Sequence, residues 1–562
     1  MKKKTETNAE SGAIKKSTKL FFSGVLILTI TNIVVKAIGL LFKIPMNNTL
    51  GTTVMGYYNQ SYQIYTLLYM ISTAGLPIAV SRMISETRSK GLIKQSHRIY
   101  KASMWLFLGI GIIGMSLMLF GAKWYSSNIL DVSNASYCIM MIAPTLFFIC
   151  VSSAYRGYFQ GYQLMLPTAV SQFFEAICKL GVGLVLAIYA KNRGEPDYIV
   201  AAYAAVGLTV GAGLGMLFLA ISKKRFREAD NNAELLAVMP ESDAIEPYRK
   251  IVKALFVIAI PITISASVMS FTNLIDSALI SNMLQNVWHM TEEQAESIYG
   301  CYTTQAVSLC NLPPVLIYPI SYSIIPLISM ANSQGDFERS KRVMESSLRV
   351  SILIGLPCAL GMVVLSEPIL GLIFTSGVET AAPLLSILAP STFFICVLSV
   401  TNAILQANGH ERLPLVSMLF GAVVKIGMSF LLTYYLGITG TPISTFLCYL
   451  TITALNFYFV ASRVKIIPHF GRVFLRPFFA SAVCAGSAWL AYKGLTASFM
   501  ASRPRIAVIL AILLAVVVYA LFVFVTKAIT TDDVLLLPKG QKIAKVLQRF
   551  RLLPKEANYE TR

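Results

Sequence analysis

Residues 506–526 read IAVILAILLAVVVYALFVFVT, a run of apolar side chains without a charge. A helix of this length covers roughly 30 Å at about 1.5 Å per residue, which is the thickness of the hydrocarbon core of a bilayer. Similar blocks recur along all 562 residues, of which 56% are hydrophobic and 13% charged. Because a soluble domain carries about 25% charged residues, the composition excludes an ordinary soluble enzyme. The sequence predicts an all-α polytopic membrane protein.

Fourteen such blocks can be counted, and each predicts one transmembrane helix. They cover residues 20–43, 56–81, 102–121, 136–155, 165–190, 199–222, 254–283, 302–330, 346–366, 382–405, 413–436, 441–461, 474–492 and 506–526. A long basic loop separates the first six spans from the remaining eight. The predicted organisation is a cytoplasmic tail (1–19), an N-lobe with spans 1–6 (20–222), a cytoplasmic linker (223–253), a C-lobe with spans 7–12 (254–461), spans 13–14 (462–527) and a cytoplasmic, basic amphipathic tail (528–562).

Two parts of the chain repeat four residue types at the same spacing. The first set is Gln160, Ser171, Lys179 and Gly181, and the second is Gln406, Ser417, Lys425 and Gly427. The first set runs from the end of the fourth span into the fifth, the second runs from the end of the tenth into the eleventh, and both lobes have the same predicted orientation. We therefore expect two pseudo-symmetric six-helix lobes related by an axis along the membrane normal, as in duplicated transporter halves.

The net charge of +20 comes from 47 lysines and arginines against 27 acidic residues. Most of the basic residues lie in alternate loops and at the two termini, the pattern that marks cytoplasmic segments. We predict that both termini are cytoplasmic, and we expect no nucleic acid partner. Residues 541–553 alternate apolar and basic side chains. This pattern predicts a helix that lies on anionic membrane lipids, with contact to the protein's own loops as the alternative.

The sequence contains no motif that indicates an enzyme. GIGIIG at residues 109–114 matches a dinucleotide fingerprint but lies in an apolar span, where small residues are typical of close helix packing. Gly207, Gly211 and Gly215 predict the same packing in the sixth span. The chain has no P-loop sequence, and its nine cysteines and four histidines lack zinc-ligand spacing. The sequence predicts no enzyme, metal site or cofactor; coupling to Na⁺, H⁺ or the membrane potential stays open.

Two lysines lie within or at the end of the first span. Charged groups in a membrane are costly and usually face a bundle interior or a wet cavity. Counted from the start of the span, Lys36 is predicted in the outer half of the bilayer, and Lys43 lies seven residues further, near the same helix face. Lysine binds phosphate as a compact point charge, so the pair suits a phosphate or pyrophosphate group. For Lys43, snorkelling to the outer interface is the alternative.

The other charges in or beside spans are candidates for the same cavity. Glu175 and Lys179 are four residues apart and can pair within one helix, a purely structural arrangement. Lys425, the counterpart of Lys179 in the repeat, has a glycine four positions earlier and needs another partner. Asp276, the only acid in the seventh span, can pair with a first-span lysine or bind a coupling cation. Arg82, at the cytoplasmic end of the second span, suits an orientation anchor better than a ligand.

Several short motifs stand in a characteristic order. They are KAIGLLFKIP (36–45), GYY (56–58), STAGLPIAVS (72–81), RGYFQG (156–161) and LPKG (537–540). With the span count, they make the chain resemble the multidrug/oligosaccharidyl-lipid/polysaccharide (MOP) exporter superfamily. Within it the chain resembles the Gram-positive polysaccharide-biosynthesis branch, which includes stage V sporulation protein B and YtgP-type, MurJ-like lipid II flippases.

The resemblance implies a V-shaped pair of six-helix lobes, a cavity open alternately to each side, and two C-terminal helices that line a groove for a polyprenyl tail. It implies a flippase in a bacterial plasma membrane that moves an undecaprenyl-pyrophosphate-linked sugar to the outer leaflet, with lipid II, a peptidoglycan precursor, as the first expectation. Lys36 and Lys43 match first-helix positions at which relatives hold the pyrophosphate, although MurJ-type proteins present arginines in the cavity. We also expect a monomer that works beside the cell-wall synthesis machinery.

Three other functions remain as alternatives. An ion-coupled multidrug antiporter of the same superfamily would need cavity carboxylates for cationic drugs, whereas only Glu175 and Asp276 are available. A membrane enzyme of lipid-linked glycan assembly would need sizeable external loops, and the longest one, about residues 284–301, is short. A scaffold role in the sporulation or division machinery is compatible with the sequence.

Overall fold

The computed structural model describes residues 31–39, 41–90, 92–230, 246–465, 471–497, 503–530 and 533–534. Over these residues the chain is almost entirely helical and contains no strand, which confirms the predicted all-α class. The predictions for the N-terminal tail, the start of the first span and the basic amphipathic segment fall outside the described residues. The chain forms two compact units, Met1–Asn282 and Met283–Arg562.

Eight α-helices lie in the described residues of the first unit. They are α1 (Thr31–Leu50), α2 (Thr52–Thr73), α3 (Leu76–Ser89), α4 (Ile93–Tyr125), α5 (Ala135–Gly161), α6 (Leu166–Asn192), α7 (Asp197–Asp230) and α8 (Tyr248–Asn286), whose last turn belongs to the second unit. The compact units divide near the end of α8, whereas the sequence analysis divides the lobes at the 223–253 linker. The lobe boundaries therefore stay a prediction.

Ten more α-helices lie in the part of the second unit that the structure describes. They are α9 (Glu292–Gly300), α10 (Val307–Cys310), α11 (Leu312–Ser333), α12 (Phe337–Val364), α13 (Ser366–Ile373), α14 (Val378–Ala407), α15 (Leu413–Leu436), α16 (Gly440–Phe459), α17 (Arg476–Ala497) and α18 (Pro504–Val525).

The repeated residues of the sequence occupy equivalent places. Gln160 and Gln406 lie in the last turns of α5 and α14, and Lys179 and Lys425 lie midway along α6 and α15.

Twelve helices in the described residues are long and apolar enough to cross a membrane, and α8, bent by 48° between Ile264 and Ala266, makes thirteen. One of the twelve is the 52-residue stretch Leu413–Val464, which at about 1.5 Å per residue is far longer than a bilayer is thick. A short 3₁₀ turn, Gly437–Thr439, divides it into α15 and α16. The Ser429 and Ser444 hydroxyls lie 2.7 Å apart across the turn, so this stretch is a hairpin of two spans.

The first two helices form a tighter hairpin. Only Gly51 separates α1 from α2, and its φ of 98° and ψ of 171° belong to a region that glycine alone adopts readily. The rings of Phe42 and Tyr58 lie 5.6 Å apart across this hairpin. Because α1 continues to Leu50, it runs well beyond the predicted end of the first span at residue 43.

Glycines hold α6 and α7 close together, as their spacing predicts. A methyl group on Gly207 would lie 2.3 Å from the backbone nitrogen of Gly183, and one on Gly211 would lie 2.9 Å from the backbone oxygen of Glu175. In α4, Gly111 likewise lies against Cys150 of α5. The predicted small-residue packing is confirmed, and it fixes the position of Glu175 on α6.

The second predicted span, 56–81, is broken into α2 and α3. The break consists of Ala74 and Gly75, and Pro77 stands in the first turn of α3, where a missing amide donor costs no helical hydrogen bond. A methyl group on Gly75 would lie 2.2 Å from the backbone oxygen of Ala259 in α8. The absence of a side chain therefore lets α8 pack against the break.

Candidate functional site: a charged cavity in the first unit

A cavity of about 390 Å³ lies within the first unit, between α1, α2, α5, α6 and α7. Its lining combines charged, aromatic and polar side chains, which is unusual at the depth of a membrane span. The charged members are Lys36, Arg156, Glu175 and Lys179. Three cations against one carboxylate give the cavity an excess of positive charge.

Arg156 and Glu175 form the most buried ion pair of the first unit among the described residues. Arg156 Nη2 lies 2.5 Å from Glu175 Oε1, and the two side chains are 7% and 18% exposed. Arg156 Nε and Nη2 also donate hydrogen bonds to Ser171 Oγ at 3.1 and 3.0 Å. Since Glu175 and Ser171 lie four residues apart on α6, they face the same side and together hold the guanidinium.

Glu175 therefore does not form the predicted helical ion pair with Lys179. The Lys179 ammonium group lies instead over three aromatic rings, 4.7 Å from the centre of Tyr62, 5.1 Å from Phe42 and 5.6 Å from Tyr58. A ring face attracts a cation, and a desolvated contact of this kind is worth about 2 kcal/mol. The aromatic contacts thus offset part of the cost of burying Lys179 without neutralising its charge.

The aromatic wall is a row of four tyrosines along α2, which we name the tyrosine row. Its members are Tyr58, Tyr62, Tyr65 and Tyr69, whose successive ring centres are 5.9, 5.3 and 5.9 Å apart. Their sequence spacing of four, three and four residues places them on one helix face. All but Tyr58 line the cavity.

The two first-span lysines lie at different places. Lys36 lines the cavity, while Lys43, two turns further along α1, is an electrostatic neighbour of Lys179. With α1 ending at Leu50, Lys36 lies about 21 Å and Lys43 about 10 Å from the end of the helix. Their predicted depths in the bilayer stay predictions.

The remaining predicted site residues do not line this cavity. Arg82 lies in α3, where its side chain is 65% exposed and bonds Glu86 at 2.8 Å, an arrangement that suits the anchor interpretation. Asp276 is buried in α8, and Lys425 is buried in α15 of the second unit. Their roles, like those of the other candidate residues, stay predictions.

Arg156 is the site residue that the sequence analysis missed. The predicted fourth span ends at residue 155, which puts Arg156 in a cytoplasmic loop, whereas α5 continues to Gly161. Arg156 is therefore part of a helix wall. The tyrosine row was also missed, although its spacing along α2 was visible in the sequence. Gln172, with a buried Oε1 that has no hydrogen-bond partner among the described residues, completes the polar lining.

The cavity suits an anionic ligand with an attached ring system. Two lysines and a forked guanidinium are the side chains that bind phosphate oxygens, and the tyrosine row offers surfaces on which apolar faces of a ligand can pack. Within the described residues no group of three or more histidine, cysteine or acidic side chains could hold a metal ion.

The helix count, the duplicated halves and the cavity define a multi-pass membrane protein with the fold of the MOP exporter superfamily. The chain belongs to the polysaccharide biosynthesis protein family, whose profile matches residues 21–332. The MatE family profile matches residues 278–431. The superfamily resemblance is thereby confirmed.

Curated relatives from Bacillus subtilis (strain 168) match most of the chain. The uncharacterized membrane protein YabM is 25% identical over 94% of this chain and 97% of its own length. Lipid II flippase MurJ is 26% identical over 76% of this chain and 80% of its own. Stage V sporulation protein B is 24% identical over 80% and 84%.

Solved structures give the same fold. Lipid II flippase MurJ in an inward closed conformation aligns with a TM-score of 0.66 at 16% identity, covering 89% of this chain and 98% of that one. An inward-facing multidrug resistance MATE transporter of the MOP superfamily aligns with a TM-score of 0.60 at 14% identity, covering 79% and 98%.

Proposed function

We propose that the protein is a flippase for an undecaprenyl-pyrophosphate-linked sugar, with lipid II as the substrate to test first, and that it is not an enzyme. The observation that carries the proposal is the cationic cavity, in which Lys36, Arg156 and Lys179 face a single carboxylate. Relatives named as flippases of lipid-linked precursors support the substrate class. In this proposal the protein lies in a bacterial plasma membrane with both termini in the cytoplasm.

The physical problem solved by such a cavity is the passage of a charged headgroup. An unpaired charge in hydrocarbon is very costly, whereas a cavity with fixed cations replaces the water around phosphate. The lipid tail stays in the bilayer while the headgroup enters the protein. Alternating access then exposes the site to each leaflet in turn. The proposal includes no cofactor; Na⁺, H⁺ or the membrane potential would supply the driving force.

The charge of the cavity disfavours the multidrug antiporter. A cationic drug requires carboxylates, but Glu175, the one carboxylate in the lining, is bonded to Arg156. A cationic drug would therefore meet a net repulsive field, whereas pyrophosphate meets an attractive one.

Complementation tests the proposal. The chain is expressed in a bacterium depleted of its own lipid II flippase, and lipid II in the outer leaflet is measured. We expect rescue by the wild type, its loss in Lys36→Met and Lys179→Met, and full rescue by Lys191→Met. Lys191 is a matched control because it lies on the same helix as Lys179 but pairs with Asp197 at an exposed position.

Two results would contradict the proposal in different ways. Failure of the wild type at normal membrane expression would exclude lipid II and direct the test to other lipid-linked glycans. Rescue that is unchanged by both cavity variants would keep the function but remove the proposed site.

A further inference from the structure

The cations of the cavity are not equally available to a ligand. Within the described residues, Lys179 has aromatic rings around it and no carboxylate at ion-pair distance. Arg156, in contrast, is already bound to Glu175 at 2.5 Å. An anionic headgroup therefore meets a lysine that lies among aromatic rings and an arginine that carries an internal counter-ion.

The geometry of the pair shows which partner can move. Arg156 is nearly buried and has a second anchor, since Ser171 Oγ accepts hydrogen bonds from Nε and Nη2. Ser171 is itself fixed, because its hydroxyl donates to the backbone oxygen of Thr168 at 2.8 Å. Glu175 is more exposed and lines the cavity. If the carboxylate left, Arg156 would keep its position.

The backbone of Glu175 is held, but its carboxylate is not enclosed by bulky neighbours on α7. Gly211 packs against the backbone of Glu175, whereas Gly215 faces its side chain, and a methyl group on Gly215 would lie 3.4 Å from Glu175 Oε1. Gly215 therefore leaves room beside the carboxylate group. The side chain can thus change rotamer while α6 and α7 stay packed.

We propose that Glu175 is an internal counter-anion that competes with the phosphate groups of the substrate for Arg156. This inference rests on the proposed function and deepens it by naming the residue that sets headgroup affinity. A phosphate oxygen replaces the carboxylate on the guanidinium, so one charge-assisted hydrogen bond is exchanged for another. The exchange keeps binding from becoming too tight, and the returning carboxylate helps to release the product.

The variant Glu175→Gln removes the charge but keeps an oxygen that can accept a hydrogen bond from Arg156. We expect it to bind pyrophosphate about tenfold more tightly, which corresponds to about 1.4 kcal/mol, because the phosphate then replaces a neutral acceptor on Arg156 instead of a charged one. We expect it to flip lipid more slowly than the wild type, because release becomes harder. Arg156→Gln should weaken binding, and Glu175→Gln should add almost nothing in that background.

The test is a double-mutant cycle on the full chain in nanodiscs at low salt, read out by equilibrium binding of radiolabelled inorganic pyrophosphate. Asp197→Asn is the matched control, since it removes a carboxylate from an exposed pair at the other end of α6. Size-exclusion profiles check folding, and Glu175→Ala replaces Glu175→Gln if the latter is unstable.

The possible results separate the two proposals. Tighter binding by Glu175→Gln only when Arg156 is present supports the counter-anion. The counter-anion proposal is overturned if Glu175→Gln tightens pyrophosphate binding equally with and without Arg156, or does not tighten it at all. In either case the headgroup site still stands if Lys179→Met weakens pyrophosphate binding. Absence of pyrophosphate binding in every variant overturns both the counter-anion and the proposed site.

Discussion

At the scale of single residues, the cavity shows how a membrane protein surrounds a lysine with aromatic rings instead of an acidic partner. Lys179 is not neutralised by the acid one turn away, because Glu175 is occupied by Arg156. Aromatic faces surround it instead, and they stabilise a cation without blocking an anionic ligand. The rings belong to α1 and α2, so the site depends on their hairpin.

The aromatic contact leads to a testable difference between two substitutions. The Tyr62 ring centre lies 4.7 Å from the Lys179 ammonium group. Tyr62→Phe keeps a ring at this position, whereas Tyr62→Leu removes the ring. We expect Tyr62→Leu to lower the free energy of unfolding by about 1–2 kcal/mol more than Tyr62→Phe does, measured by thermal melting in detergent. In a Lys179→Met background the difference should shrink; an unchanged difference would show that Tyr62 contributes packing alone.

Some site residues could be predicted from the sequence, and one could not. Lys36, Glu175 and Lys179 stand out because charges in apolar spans are rare. Arg156 does not, because it directly follows an apolar block, and hydropathy cannot tell an arginine that ends a helix from one a full turn inside it. Only the ion pair with Glu175 on α6 shows that Arg156 belongs to the cavity, and this pair is a tertiary contact.

At the scale of helices and turns, the span ends are where sequence and structure differ. The sequence ends the first span at Lys43, since polar residues follow, yet Asn47 is fully buried and α1 runs to Leu50. Tertiary burial of polar side chains is invisible to hydropathy. The helix cores were predicted correctly, because they depend only on long apolar runs.

The α1–α2 turn makes a prediction about Gly51. With φ at 98° and ψ at 171°, alanine is strained by about 1–3 kcal/mol. We expect Gly51→Ala to lower the melting temperature in detergent and to weaken pyrophosphate binding by shifting the tyrosine row. Gly181→Ala on α6 is the control, because no atom lies within 4 Å of the added methyl group; equal behaviour of both variants would contradict this account of the turn.

A buried ion pair in the second unit fastens the segment that follows α18. Arg349 Nη1 of α12 lies 3.0 Å from Asp533 Oδ2 and donates a hydrogen bond to Thr530 Oγ1 at 2.8 Å. Asp533 also accepts hydrogen bonds from the Ser346 hydroxyl and from the Thr530 amide. The sequence analysis placed Asp533 in the tail, since no local pattern shows that an arginine in a distant span binds it.

Removing one partner of this ion pair should destabilise the protein more than replacing both partners with apolar residues. Arg349→Met leaves a buried carboxylate without its counter-ion and should destabilise the protein by about 3–5 kcal/mol. The double variant Arg349→Met, Asp533→Leu should recover most of that loss. Chemical unfolding in detergent measures both, and a double variant that is as unstable as the single one would show that the pair is not the cause.

At the scale of the whole molecule, two compact helical units and a family profile over more than half of the chain define the fold. The sequence predicts the span number because each apolar block is a separate membrane crossing. It predicts the repeat from four residues that recur at equivalent helix positions. The seventh span is predicted to open the second lobe, whereas the compact units divide near the end of α8, so the lobe boundary stays a prediction.

The topology can be tested with single cysteines in a variant that lacks the nine native ones. Membrane-impermeant thiol reagents should label Glu195→Cys from outside intact cells, but Glu411→Cys and Ser462→Cys only after lysis. The last two positions flank the α15–α16 hairpin and must lie on the same side. Labelling of Glu411→Cys and Ser462→Cys from opposite sides would mean a single crossing between them and an odd number of spans.

The most direct test of the central claim is reconstituted flipping. Liposomes with the purified protein receive labelled lipid II in one leaflet, and its arrival in the other leaflet is measured for the wild type, Lys36→Met, Lys179→Met, Arg156→Gln and Lys191→Met. The cationic-cavity account predicts rapid flipping by the wild type and by Lys191→Met, and a loss of at least tenfold in the other three variants. Equal flipping by all five proteins would contradict it.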